Sequence, residues 1–303
     1  MQLNATHPCR QRSGMRLSRS FFRAKMRQLR LVTVAVLFGM FSGLLGVSQA
    51  AVPALGPCEP GYVRQWQPEL PIMPVALKGL AATAEAGVQL EWLGHSSFLL
   101  TSPAGLRVLI DPSALYPPSS APDVVTVSNL HGTHSAVEWV LGAPRVLWGI
   151  LPDARWSRIM LTIKDVSLFN VPSYASPIQL EESPVHNSIF VFRAGGLCIV
   201  HLGNLRHVLI PKQLQQLGTP DVVMIPIDGQ WTLSYTDVLR VITQLQPRLV
   251  IPMHIDFAAH AEFFVQSTAA RYPTRRIKGH TLTLRRSDLP AGTEIVLFSD
   301  RDR

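Results

Sequence analysis

Four short segments of the sequence combine histidine with small or amide side chains in patterns that could do chemistry. Lone histidines at strand ends are usually structural, because imidazole can satisfy both ring nitrogens locally. Two histidines three residues apart, His131 and His134, could instead aim both imidazoles at one metal ion. The sequence therefore points to metal chemistry, although each segment alone is a weak signal. The four segments are GHSS (94–97), SNLHGTH (128–134), HLGN (201–204) and PMH (252–254).

Metal-free catalysis has little support in the sequence. There is no Gly-x-Ser-x-Gly nucleophile elbow, no Walker loop and no dinucleotide fingerprint. Cys58 lies in a Pro-rich stretch and Cys198 in an apolar run, so neither sits where a reactive thiol is expected. The best remaining acid is Asp111, which we expect to hydrogen bond to the histidine turn more readily than to react directly.

The elements that must position these residues are short strands and amphipathic helices. Apolar runs rich in β-branched residues predict four successive strands from Val88 to Asn129, a helix over 135–141, and strands over 146–151, 158–163 and 166–171. The second half predicts a hairpin over 187–204, a short helix at 211–218, and two buried strands separated by an amphipathic helix. The apolar face of that helix carries Val238, Val241, Ile242 and Leu245. Two such halves predict an α/β fold, a four-layer αββα sandwich.

Composition and charge limit the classes of function. With 47% hydrophobic residues the chain is not a disordered one. The formal net charge of +8 could indicate a nucleic-acid partner, but eight of the 28 basic residues lie in the first fifty residues, which hold no acid. The other 20 basic residues balance the 20 acidic ones, so we predict no nucleic-acid partner.

The N-terminal region predicts export. A basic stretch precedes an apolar run, 31–47, and small residues around Ala50, which is the order of a signal peptide. An uncleaved membrane anchor is the alternative, and it would be the chain's one contact with a membrane. We thus predict a leader (1–50), a Pro/Ala-rich extended arm (51–87) and one domain (88–303), located in the bacterial periplasm or cell envelope. There Cys58 and Cys198 could pair or stay free.

Taken in order, the motifs resemble those of the metallo-β-lactamase-fold hydrolases, with the branch that contains ascorbate-6-phosphate lactonase as the nearest. The resemblance runs from Val88 to His254 and rests on LGHSSF, VLIDP, PDVV with the histidine-rich turn, HLGN, PDVVMIPI and PRLVIPMH. It implies the metallo-β-lactamase type of αββα sandwich, with a pair of metal ions in a cleft between its halves. It says much less about the substrate, which loops outside the motifs determine.

The family's first ligand turn, Thr-His-x-His-x-Asp-His, falls on residues 128–134. Its second and third histidines match His131 and His134. Asn129 occupies the position of its first histidine, and Thr133 occupies the position of its aspartate. A further ligand histidine expected near 173–175 is missing, although His186 could replace it.

Both family carboxylates are replaced by neutral groups. The bridging aspartate falls on Asn204, and the last ligand histidine on His254. Because anionic carboxylates offset the charge of divalent ions, we predict at most one zinc ion, held by His131, His134 and His254. If the site is catalytic, the candidates are Asn204, Thr133 and Asp111. The predicted lining of the pocket is His95, Asn129, His201, Asp228 and Trp231.

Three functions remain open on the sequence alone. The first is a hydrolase, implied by the resemblance and exported according to the leader, in which zinc makes hydroxide from bound water to attack an ester, lactone, amide or phosphoester. The loss of both carboxylates supports a non-catalytic member of the same fold that binds a small molecule or a partner. A structural protein of the envelope that uses the arm, 51–87, as a tether is the third. Whether the chain is an enzyme, and its oligomeric state, are left open.

Overall fold

The computed structural model describes residues 58, 86–175, 184–255 and 258–298. The predicted leader, and the predicted arm apart from Cys58 and residues 86–87, lie outside the described residues. None of the helices formed by the described residues is both long enough and apolar enough to cross a membrane.

The described residues form fourteen strands in two sheets. One sheet has the order β13-β1-β2-β3-β4-β5 and the other β12-β14-β11-β10-β9-β8-β7-β6. In chain order the strands are β1 (Val88–Gly94), β2 (Ser97–Thr101), β3 (Arg107–Ile110), β4 (Val124–Val127), β5 (Arg145–Trp148), β6 (Met160–Ile163), β7 (Val166–Tyr174), β8 (Val185–Ala194), β9 (Leu197–His201), β10 (Val222–Pro226), β11 (Leu249–Met253), β12 (Thr274–Ile277), β13 (Thr281–Leu284) and β14 (Glu294–Phe298).

Four helices lie among these strands. They are α1 (Gly132–Ser135), α2 (Pro211–Leu217), α3 (Tyr235–Leu245) and α4 (Ala258–Thr268), with short 3-10 turns at Val137–Trp139 and Arg286–Asp288. The predicted amphipathic helix is confirmed as α3, whose four predicted apolar residues are all buried. It begins where the Ser234 hydroxyl accepts a hydrogen bond from the Asp237 amide, and it ends at Gln246 in the left-handed conformation.

The alternation of apolar side chains in β1 to β3 explains why two layers cover the first sheet. Leu90, Phe98 and Ile110 point into the main core shared with the second sheet. Leu99 and Leu109, one position out of phase, belong to a smaller cluster on the opposite face, under the connection that carries α1. The two packed sheets with outer helices form the predicted αββα sandwich.

Some predicted elements differ from the structure. The helix predicted over 135–141 is instead the four-residue α1 followed by a 3-10 turn, because residues 137–141 lack a continuous apolar face and Trp139 and Leu141 are exposed. The strands predicted over 146–151 and 158–163 are β5 and β6, and each is shorter than predicted. The motifs ended at His254, so the sequence analysis assigned nothing to α4 or to β12–β14.

Cys58 and Cys198 form a disulfide, with their Cα atoms 5.7 Å apart. The Cys58 amide donates to Leu217 O, and Cys58 O accepts from the Thr219 amide, so this residue adds a bridge beside the end of α2. The sequence left open whether these cysteines pair or stay free, and in the structure they are paired.

A candidate metal centre where the two sheets meet

Three candidate site residues directly follow the last residue of a buried strand. His95 follows β1, Asp111 follows β3 and His254 follows β11. All three have a positive φ, of 49°, 49° and 62° respectively. A left-handed conformation in a residue other than glycine costs about 1 to 3 kcal/mol and is concentrated at functional sites. The backbone thus turns sharply at each strand end to aim these side chains.

Three imidazoles come together at this junction. One ring nitrogen from each of His95, His134 and His254 lies within 4.8 Å of a ring nitrogen of each of the other two. We call these residues the three-histidine cluster. The first two belong to the first sheet and its connections, and His254 belongs to the second. The Nε2 atoms of His134 and His254 are 3.1 Å apart. The arrangement can therefore offer one ion three nitrogen ligands.

Asp111 orients His134 from behind. Its Oδ2 atom is 2.7 Å from His134 Nδ1, and both residues are fully buried. Burial raises the pKa of Asp111, while His201 and two hydrogen bonds from Ser128 act in the opposite direction. The Ser128 amide donates to Oδ1 at 2.8 Å and its hydroxyl donates to Oδ2. Because both oxygens accept from Ser128, we assign the carboxylate form, with the proton on His134 Nδ1.

Asp228 orients His254 in the same way from the second sheet. Its Oδ2 atom is 3.0 Å from His254 Nδ1. The Thr232 hydroxyl donates to that oxygen at 2.7 Å, and the amides of Gln230 and Trp231 donate to Oδ1. Burial raises the pKa of Asp228, but the nearby His254 and the hydrogen bonds from Thr232 and Gln230 outweigh it and lower that pKa. Asp228 is therefore ionised, and it lies within ion-pair distance of His254 Nδ1.

The environment of His134 keeps its ring neutral. Burial lowers its pKa well below the ordinary value, and the nearby charges of His254, His131 and His186 lower it further. A neutral imidazole whose Nδ1 proton is held by a carboxylate has its lone pair on Nε2, which is the form that binds metals.

His201 is buried but already engaged. Its Nε2 donates to Ser96 O at 2.9 Å, and its Nδ1 accepts from the Gly203 amide at 3.2 Å. With both nitrogens occupied it lies beside the cluster as a structural residue.

The structure does not bring His131 into the three-histidine cluster. His131 is exposed, its ring centroid is 6.5 Å from that of His134, and its Nδ1 is 3.0 Å from Thr133 Oγ1. The predicted ligand set thus differs from the observed cluster at one position, where His95 stands in place of His131. Thr133 is directed to His131, and no described contact joins it to the cluster.

The other predicted site residues lie around the cluster. Asn129 is buried and donates to His186 O at 2.7 Å. Asn204 is also buried; its amide donates to Asn187 Oδ1 at 2.8 Å, and its own Oδ1 has no hydrogen-bond partner among the described residues. Trp231 is 70% exposed, so its indole ring lies largely in solvent.

Two features of the site were not predicted from the sequence. Ser128 was taken only as a position of the first ligand turn, yet it holds both oxygens of Asp111. Asp228 was taken as pocket lining, yet it orients a histidine. A signal for the second feature was present, because Ile-Asp stands at the end of a buried strand at 227–228 as it does at 110–111.

Comparisons with known proteins identify the family. A family model described as a beta-lactamase superfamily domain matches residues 89–254. A UPF0173 metal-dependent hydrolase of Methanoregula boonei is 28% identical over 185 residues, which are 55% of this chain and 82% of that protein. A homologue of the same name from Methanopyrus kandleri is 27% identical and covers 55% of this chain and 84% of its own.

Solved structures share the fold. A Thermotoga maritima protein, described as a zinc-dependent hydrolase of the metallo-beta-lactamase superfamily, has a TM-score of 0.55 and 26% identity over 70% of this chain and 98% of its own. A protein from Parabacteroides distasonis, described as a metal-dependent hydrolase, has a TM-score of 0.50 at 15% identity, over 69% of this chain and 92% of its own, and supports the fold alone.

Proposed function

This chain belongs to the beta-lactamase superfamily, and from that premise we propose that it is a metal-dependent hydrolase with one ion held by His95, His134 and His254. The names of its relatives support the reaction class. The geometry of the cluster supports the number of ions, because the three nitrogens surround one position.

The observation that carries the proposal is the 3.1 Å separation between His134 Nε2 and His254 Nε2. Asp111 lies 2.7 Å from His134 Nδ1 and Asp228 lies 3.0 Å from His254 Nδ1, so a buried carboxylate stands behind each ring and leaves its Nε2 available as a ligand. Without a cation the two Nε2 atoms can share one hydrogen bond, and two nitrogens at this separation also fit a single zinc ion with Zn–N distances of about 2.0 to 2.1 Å. Three imidazoles, two of them backed by carboxylates, fit zinc, whose catalytic sites keep three protein ligands and one open position. Imidazole also suits copper, iron and nickel, so zinc is the finer part of the proposal.

The protein's own residues prepare this site before any ion binds. Asp111 and Asp228 fix the tautomer and the direction of two rings, and Ser128 and Thr232 hold those carboxylates in place. A bound ion of this kind polarises an ester, lactone, amide or phosphoester and activates water for its hydrolysis. The neutral amide of Asn204, whose Oδ1 has no partner among the described residues, can hydrogen bond to a polar substrate without competing for the ion.

Metal content tests the proposal. Full-length protein purified without chelator and then loaded with zinc should hold about one ion per chain by elemental analysis. His134→Ala and His254→Ala should each remove it, whereas His260→Ala, a histidine of α4, should not. A stoichiometry near zero in the wild type would overturn the proposal, and two ions per chain would overturn the single-ion assignment.

A second candidate function is a non-catalytic, ligand-binding member of the fold. The buried Asn204 Oδ1 atom, which lacks a partner among the described residues, favours it because such an acceptor suits a ligand donor. Metal would then be dispensable, and melting curves with and without chelator would superimpose. A clear drop in melting temperature on chelation would exclude this function.

We also propose that the protein is exported, on the basis of the signal-like order of residues 1–50. The disulfide supports this, because such bonds persist mainly in oxidising compartments. Mass spectrometry of the protein recovered from an envelope fraction should show an N-terminus at Ala51, whereas an intact leader in that fraction would indicate an anchor.

A further inference from the structure

Arg206 carries a positive charge that the proposed reaction does not use. It lies in the loop after β9, is partly buried, and forms no hydrogen bond or ion pair with the residues that the structure describes. Its Nε atom is buried and has no hydrogen-bond partner among the described residues. A nitrogen in this position has lost water without gaining an acceptor from that part of the chain, which is unfavourable unless a ligand supplies one.

The loop places Arg206 beside the candidate site. Two residues earlier, the Asn204 amide is held at 2.8 Å by Asn187 Oδ1, so this loop runs against the start of β8. His186 is the neighbour of Asn187 on that strand. Burial lowers the pKa of His186 to about 4, and the charge of Arg206 contributes, which agrees with their proximity.

A continuous polar edge leads from Arg206 to the three-histidine cluster. The Asn129 Nδ2 atom is 2.7 Å from His186 O and 3.1 Å from His186 Nε2. The His131 amide in turn donates to Asn129 Oδ1 at 2.8 Å, three residues before His134. Arg206 is thus at one end of this edge and the proposed ion position is at the other.

The negative charges of the site lie away from this polar edge. Asp111 and Asp228 lie behind the imidazoles, and hydrogen bonds from protein donors occupy their oxygens. The edge itself is made of amides, neutral imidazole and one guanidinium. An anion approaching along it meets an attractive field and no carboxylate among the described residues.

We propose that Arg206 binds an oxyanion group of the substrate, a phosphate or a carboxylate, and is the residue that sets specificity for anionic substrates. The inference rests on the proposed hydrolase function, because it assigns the substrate class of the same site. The planar guanidinium can donate two parallel hydrogen bonds to such a group, which a single ammonium cannot do.

The test measures binding of inorganic phosphate and of acetate to the full-length, chelator-treated protein at pH 7.5 by calorimetry, with ionic strength held constant by chloride. The wild type should bind at least one of them, with a dissociation constant of roughly millimolar order. Arg206→Gln should weaken binding about tenfold or more, because a charge-assisted hydrogen bond is lost. Arg206→Lys should retain part of the affinity.

Arg271→Gln is the matched control, because it removes one charge from an exposed arginine between α4 and β12 and should leave binding unchanged. Tighter binding of phosphate would identify a phosphorylated substrate, and tighter binding of acetate a carboxylate substrate. Equal affinity of the wild type and Arg206→Gln, or no binding of either anion to the wild type, would overturn the inference. Since chelator is present throughout, this result is independent of zinc stoichiometry, which tests the proposed function separately.

Discussion

The His254 amide donates a hydrogen bond to His95 O at 3.1 Å, although the two residues follow strands of different sheets. Their imidazole centroids are 3.8 Å apart. Both residues have left-handed backbone conformations, so this one bond fixes two strained strand ends against each other. The two halves of the sandwich are therefore joined by backbone at the same place where their side chains could share an ion.

His95, and not His131, should be needed for metal binding. We expect His95→Ala to weaken zinc binding about 100-fold or more, since loss of a direct ligand should exceed the 10-fold to 100-fold typical of outer-shell losses. His131→Ala is the control, because that exposed ring is directed to Thr133. Competition with a chromophoric chelator measures both affinities, and the reverse order would restore His131 to the ligand set.

Asp228 should control metal affinity without touching the ion. Asp228→Asn removes the negative charge beside His254 Nδ1, and we expect zinc affinity to fall by about 10-fold to 100-fold. Asp153→Asn neutralises an exposed aspartate that pairs with Arg155, so it should leave the affinity unchanged. If both variants behave alike, the carboxylate does not act through the histidine.

Stability should fall as the pH is lowered below 6.5. The pKa of His186 is about 4 in the folded protein, because of burial and the nearby charge of Arg206, against an ordinary value of 6.5. Above pH 6.5 neither state binds the proton, so this stability is fully present there. Between pH 6.5 and about 4 the unfolded chain takes up a proton that the folded chain excludes, so stability is lost.

His186→Asn isolates this contribution to the pH dependence. Allowing for the partial exposure of His186, we expect it to account for on the order of 1 kcal/mol between pH 7 and pH 5. Urea unfolding of the chelator-treated protein at the two pH values should show a smaller loss in the variant than in the wild type. Identical losses would mean that His186 titrates normally.

Gly203→Ala should disturb the loop that carries Asn204. Gly203 has a φ of 58°, and an added Cβ atom would overlap Asn187 Oδ1 and the Ser128 hydroxyl. Gly105→Ala is the control for backbone strain alone, because Gly105 has a φ of 76° and open space around it. We expect the Gly203 variant to be destabilised more, by roughly 1 to 3 kcal/mol beyond the control, since overpacking adds to strain. Equal melting temperatures would contradict this close packing.

The disulfide should stabilise the folded domain. Cys58→Ser opens a crosslink that joins residues 140 apart in sequence, and losses of about 2 to 4 kcal/mol are typical. Thermal unfolding should show a lower midpoint for the variant, and adding reductant should lower the wild type to the same value. A variant as stable as the oxidised wild type would show that the bond contributes nothing.

The fold could be predicted because it follows from local, repeated patterns of apolar residues. Alternating apolar residues in β1 to β3 and the apolar face of α3 are visible in the sequence, and both were assigned correctly. Residues 137–141 could not be assigned in the same way, since the end of α1 depends on contacts with the loop before β4. The elements after His254 carried no motif, although they complete both sheets.

The site was harder to predict than the fold because it depends on distances across the sheets. The motifs that contain His95, His134 and His254 were visible in the sequence. The sequence could not show that the left-handed conformation of His95 turns its ring toward His254. Nor could it show that His131, three residues before His134, is directed outward. A family motif predicts ligands from their positions in the sequence, whereas metal binding depends on which nitrogen atoms come close together in the fold.

The bond between the backbones of His95 and His254 also means that the site is complete only when both halves of the domain have been made and docked. One ligand comes from the first hairpin and another from the strand before α4, so a nascent chain that stops short of β11 has no complete site. Metal uptake would then report that both halves have docked, and a truncated or misassembled chain could not capture the ion prematurely.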